Sequence, residues 1–158
     1  MIRKIAKIEY NHVGVLFYVE GQYYVIEAIG DGVKVRELSE TCAEHDEYCI
    51  YKYKNLNDLD QNAQHARLSL EIDMAVSNNP RKYDFKGLLF QQLAWNLFNK
   101  WIGRKVQDEK FYCYEHAAYL FMEDKAFQVK PQEFIEKFVK VSEGECKYLI
   151  LGQEIEKE

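Results

Sequence analysis

The order of periodicities in this chain predicts an α+β domain in which helices pack on a small antiparallel sheet. Three observations carry that reading. The first third alternates β-branched and aromatic residues with turn signals between them. From Leu56 onward, apolar residues recur at three- and four-residue steps. No linker, repeat or low-complexity stretch divides the 158 residues, a length suited to one core, so residues 1–158 read as a single domain.

His12 to Val19 and Tyr23 to Ile29 are rich in Val, Tyr, Phe and Ile, and Glu20-Gly21 between them reads as a hairpin turn. Asp31-Gly32 offers a second turn. It leads to Val33, Val35 and Leu38, which alternate with charged residues, and Tyr48 to Tyr53 supplies a further strand of an antiparallel meander. Between Leu56 and Val76, the positions Leu59, Ala63, Ala66, Leu70 and Met74 fall on one helical face, and Asn79-Pro80 ends the pattern. Leu88 to Trp101 forms a second helical block, apolar over much of its circumference and therefore read as a buried core helix. A third helix starts near Cys113, and a fourth runs from Pro131 to Val139 with proline in its first turn. Tyr148 to Leu151 returns as a strand.

Composition excludes several classes. With 47% hydrophobic and 30% charged residues and only two prolines, the chain is neither collagen-like nor disordered. Its net charge of -5 is spread along the sequence, which argues against a nucleic-acid binder, since that needs clustered Lys and Arg. Arg3, Lys4 and Lys7 interrupt the start, so no signal peptide is expected there. No run approaches the roughly 18 apolar residues of a membrane span. A soluble, cytoplasmic protein is the expectation. The four cysteines, Cys42, Cys49, Cys113 and Cys146, are too few and too irregular for a disulfide-stapled fold and are expected as free thiols.

Chemistry concentrates on His12 and Cys113. A thiol in the first turn of a helix meets unpaired N–H groups and the positive end of the macrodipole, a placement that favours the nucleophilic thiolate. A nearby imidazole completes the activation, and a third polar group fixes its tautomer. The hairpin supplies that third group. If Glu20-Gly21 is a two-residue turn, Val19 pairs with Gln22 and Gly14 with Glu27. His12 then shares a face with Glu27 and lies diagonal to it, about 7 Å away by ordinary cross-strand spacing. Gly14 between them has no side chain to obstruct the approach.

His12-Val13-Gly14-Val15, Tyr24-Val25-Ile26-Glu27-Ala28, Gly32-Val33, Tyr83-Asp84-Phe85 and Phe111-Tyr112-Cys113-Tyr114-Glu115 together resemble the circularly permuted branch of the NlpC-type papain-like cysteine hydrolases, the YiiX-like group. In that branch the histidine strand precedes the cysteine helix. The resemblance spans residues 10–125 and implies a permuted papain-like architecture and a cysteine peptidase or amidase. It implies Cys113 as nucleophile, His12 as base and Glu27 as the residue that orients the base. Tyr83 and Asp84 are implied as supporting residues near the cleft. Two departures accompany it: Tyr114 stands where the family usually has a small residue, and only eleven residues precede His12 where the family carries an extra strand-forming segment.

Other readings stand beside this one. His116, one helical turn after Cys113, is an alternative base. Cys42, His45 and Cys49 suggest zinc but lack a fourth ligand at a usual spacing, so no metal and no cofactor are expected. The strand tyrosines read as a half-buried sheet face or as a stacking platform. The expected partner is a peptide or acyl-amide substrate, with Tyr112 a candidate oxyanion-side residue beside the Cys113 N–H. A thioester-forming acyltransferase or lipid amidase is the enzymatic alternative, and a non-catalytic binding module is the alternative from another class. The sequence leaves the oligomeric state open.

Overall fold

The computed structural model describes residues 12–44, 48–77, 79–83, 110–111, 113–122, 131–141 and 148–152, and its sheet builds outward from the first hairpin. Strands β1 (His12–Val19) and β2 (Gln22–Ile29) pair antiparallel with Val19 opposite Gln22, so Glu20-Gly21 is a two-residue connection. Its φ angles are 51° and 88°, the left-handed pair whose twist matches that of the strands. Glycine adopts this conformation freely; Glu20 does so against its Cβ. The second turn is Gly30-Asp31, one residue earlier than the sequence signal, and it sets Ile29 opposite Gly32 in β3 (Gly32–Glu37).

Beyond β3 the meander stops. Leu38, expected to continue the strand, instead opens helix α1 (Leu38–Glu44), and the chain then enters β4 (Tyr48–Tyr53). Strand β8 (Tyr148–Gly152) inserts between β1 and β4, parallel to both, with His12 and Tyr48 each in register with Tyr148. The six-stranded order is β3-β2-β1-β8-β4-β7, with β7 (Phe138–Lys140) at the edge, so the sheet is mixed and the expectation of a purely antiparallel one is corrected. The apolar run of β8 explains its place: Ile150 and Leu151 point to opposite faces and both are fully buried, as in a central strand covered on both sides.

One face packs on helix α3 (Cys113–Met122). Val13, Val15, Ile26, Ala28 and Leu151 meet Ala117, Ala118, Leu120 and Phe121 there. Tyr53, Phe121, Phe134 and Phe138 extend this core as a group of stacked and edge-on rings 5.0 to 6.2 Å apart. The other face packs Leu16, Val25 and Ile150 against Leu38 and Cys42 of α1.

Helix α2 (Gln61–Val76) starts later than its apolar spacing suggested, because Asp60 caps it by accepting from the Ala63 N–H at 2.9 Å. Leu56–Asp58 is a separate 3₁₀ turn. The buried stripe also differs from expectation: Ala66 and Leu70 face outward, while Gln64 and Glu71 are buried. Helix α4 (Pro131–Ile135) is shorter than expected, and Phe138–Lys140 forms edge strand β7 against β4. The helical block from Leu88 to Trp101 lies outside the described residues.

A short strap fixes the approach to α3. Arg81 accepts a backbone bond from the Val33 N–H at 2.9 Å, and Gly32, at φ 122°, makes this approach possible. A Cβ on Gly32 would stand 2.6 Å from the Arg81 carbonyl oxygen. The strap continues as β5 (Lys82–Tyr83), which pairs with β6 (Lys110–Phe111) two residues before Cys113. Among the described residues, no helix is long and apolar enough to cross a membrane.

Candidate active site

The hairpin register decides the first contact. Val15 pairs with Ile26, and one further step sets Gly14 opposite Glu27, so alternation brings His12 and Glu27 to the same face. Their side chains close the diagonal gap: His12 Nε2 lies 2.7 Å from Glu27 Oε2, with the carboxylate accepting. The two-residue turn thus does what the sequence required of it.

The same imidazole interacts with the Cys113 side chain. Burial pushes the His12 pKa down, but the bonds and charges of Cys113 and Glu27 outweigh it and raise the value from 6.5 to about 9. Cys113 is the first residue of ten-residue α3, where helix N–H groups are unpaired. It belongs to the core on the α3 side, whereas alternation places His12 with Leu16 on the α1 side. The two meet at the first residue of β1. Cys113 is 1% exposed and the His12 side chain 19%, so solvent reaches the pair from the histidine side.

Glu27 is fully buried, and both of its oxygens are held. Oε2 faces His12, while Oε1 accepts from Arg36, whose Nε is 2.9 Å away and whose Nη2 joins it in a fork. Arg36 Nη1 also donates to Glu44 at the end of α1. Neither Arg36 nor Glu44 was singled out from the sequence, yet the signal existed. Lys34 lies opposite Glu27 in the β2–β3 register, so Arg36, two residues on, shares that face. Lys34 itself turns to Asp31 at 2.9 Å and holds that carboxyl below its ordinary range.

His116, the alternative base, occupies a different cluster. It is 1% exposed, and its Nε2 lies 3.5 Å from Glu71 Oε2, while Arg81 Nε donates to Glu71 Oε1 at 2.5 Å. Burial pushes the Glu71 carboxyl up, but His116 and Arg81 more than offset this and hold it below the usual range. The guanidinium groups of Arg67 and Arg81 lie 5.9 and 6.0 Å from the Tyr119 ring centroid. This cluster ties α2, the strap and α3 together.

Of the remaining expected residues, Tyr83 is placed by its backbone in β5, and its side chain lies outside the described residues, as do Asp84 and Tyr112. Tyr114 is buried in the core. Cys42 and Cys113 are free, but Cys49 is disulfide-bonded, which corrects the expectation of free thiols and removes Cys49 as a zinc ligand. Burial pushes the Cys42 thiol up, against the bond it makes with Tyr48. Among the described residues, no group of three or more His, Cys, Asp or Glu could hold a metal ion.

No protein-family model matches the chain, and neither a curated protein nor a solved structure matches it.

Proposed function

We propose that the chain is a cysteine-dependent hydrolase that cleaves an amide bond, of the permuted papain-like kind that its motifs resemble. The observation that carries this reading is the position of His12, 2.7 Å from Glu27 on one side and interacting with Cys113, the first residue of α3, on the other. That is the order nucleophile, base and orienting carboxylate.

In the proposed cycle the Cys113 thiolate attacks the carbonyl carbon. The Cys113 backbone N–H is one donor to the oxyanion. The C–N bond then breaks as His12 gives its proton to the leaving amine, and a thioester to Cys113 remains. Water attacks that thioester while His12 accepts its proton, and the C–S bond breaks to release the acid and the thiolate. Glu27 stabilises the imidazolium throughout, which its buried, doubly held carboxylate suits.

Peptides, including cell-wall-type peptides, are the proposed substrate class. Transfer of the acyl group to an amine or lipid is the nearest variation, and an added amine that diverts the product would identify it. The deep burial of Cys113 favours the second reading, a binding module that keeps the fold without turnover. The cytoplasmic location stays an expectation, and the disulfide at Cys49 weighs against it because reducing compartments keep thiols free.

The test is turnover of amide substrates by the native chain and by Cys113→Ala. The variant is expected to keep its circular dichroism spectrum and lose all hydrolysis. Hydrolysis that persists in Cys113→Ala would overturn the mechanism.

A further inference from the structure

The carboxylate behind His12 has a support of its own. Glu27 is fully buried, and a lone buried carboxylate would be driven to its neutral form, which could not stabilise an imidazolium. A single histidine partner would also leave the carboxyl group free to rotate. Arg36 answers both problems. Its Nε and Nη2 fork onto Oε1, which fixes the carboxyl plane and leaves Oε2 directed at His12. Its third nitrogen, Nη1, is tied to Glu44, so the guanidinium is itself held between two carboxylates from different elements.

We infer that Arg36 is a positioning residue for His12, acting through Glu27, and that Glu44 is the outer anchor of a five-member line from the helix α1 end to the Cys113 thiol. The inference rests on the hydrolase reading for its functional meaning, and it adds a residue and an outer anchor to the site. Among the described residues, Cys113 from α3 acts on His12, Arg36 from β3 on Glu27, and Glu44 from α1 on Arg36. Lys34 stands opposite Glu27 in register but is paired with Asp31. The line thus runs thiol, imidazole, carboxylate, guanidinium, carboxylate. Removing the guanidinium takes the cationic fork from a fully buried carboxylate, so Glu27 takes up a proton more readily and its support of the imidazolium is weakened.

The experiment is the pH profile of Cys113 alkylation by a small iodoacetamide-type reagent, read by mass spectrometry on the native chain, His12→Ala, Arg36→Met and Arg36→Lys. The native profile is expected to hold a thiolate plateau whose alkaline end depends on His12 near 9. In Arg36→Met that end is expected to move down by roughly one pH unit or more, as loss of a close opposite charge shifts such groups. Arg36→Lys restores a charge without the fork and is expected to fall between the two. A merely structural role would lower the melting temperature and leave the profile in place. An unchanged profile in folded Arg36→Met overturns the inference. Should that variant not fold, an unchanged profile in Arg36→Lys does the same. A native profile indifferent to His12→Ala would instead overturn the hydrolase reading, so the two failures are distinct.

Discussion

Two buried carboxylates in this protein are each gripped by one histidine and one arginine, and only one of the two sets has the makings of a catalytic centre. Glu27 joins His12 and Arg36; Glu71 joins His116 and Arg81. Both carboxylates are at or near zero exposure. The difference lies in what each imidazole meets next. His12 opens a strand, is partly exposed and reaches a thiol at a helix start. His116 is buried in mid-helix, where it braces α3 against α2 and the strap. On the proposed reading, the same three residue types serve chemistry or cohesion according to their access to solvent and to a nucleophile.

The largest expected effect that would break this contrast concerns stability. Glu71→Ala leaves Arg81 and His116 facing a vacated buried site, and a loss of about 3–5 kcal/mol in denaturant unfolding is expected. A loss under about 1 kcal/mol would show that this second cluster is not the brace described here. Glu27→Gln is expected to act on rate more than on fold. It keeps shape and one acceptor but loses the charge that supports the imidazolium, so turnover should fall about 100-fold while Cys113 remains alkylatable. Equal activity in Glu27→Gln would place Glu27 with Glu71 as a purely structural carboxylate.

A smaller effect follows from pH. The folded-state pKa of His12 is raised above its ordinary 6.5 to about 9, so its contribution to stability is fully present below 6.5 and is lost as pH rises through about 9. Thermal stability of the native chain should therefore fall over that window, and His12→Ala should flatten the dependence. An identical slope in both would remove His12 as its cause. Smallest is a change outside both clusters. Glu20→Asn relieves a left-handed residue in the β1–β2 turn and is expected to raise stability by about 0.5–1 kcal/mol without touching Cys113 reactivity. Altered reactivity there would mean that the hairpin tip, and not the strand register alone, governs the site.

How much of this was legible in the sequence depends on how local the cause was. The His12–Glu27 contact was legible because a two-residue turn fixes parity, and parity fixes the face. The same alternation carried one strand further reaches Arg36, but a charged residue among Lys34 and Glu37 reads as a solvated strand edge until its partner is known to be buried. The strands themselves were visible in their Val, Tyr and Ile content. The insertion of β8 between β1 and β4 was not, since it joins segments a hundred or more residues apart by pairing that no local pattern specifies. Helix α2 misled for a related reason. Its apolar stripe through Ala66 and Leu70 was weaker than the pull of His116 and Arg81 on Glu71, and the helix turned its charged residue inward. The disulfide at Cys49 escaped because spacing alone does not reveal which sulfurs meet in space.

The most direct test of the central claim compares two thiols in one chain. Cys113 and Cys42 are both free, and burial pushes the Cys42 thiol up. Their alkylation rates should be measured side by side from about pH 5 to about pH 10, in the native chain and in His12→Ala. The expected result is that Cys113 reacts far faster than Cys42 at neutral pH, with a plateau that disappears in His12→Ala. Parallel profiles for the two cysteines, unchanged by the loss of His12, would contradict the account.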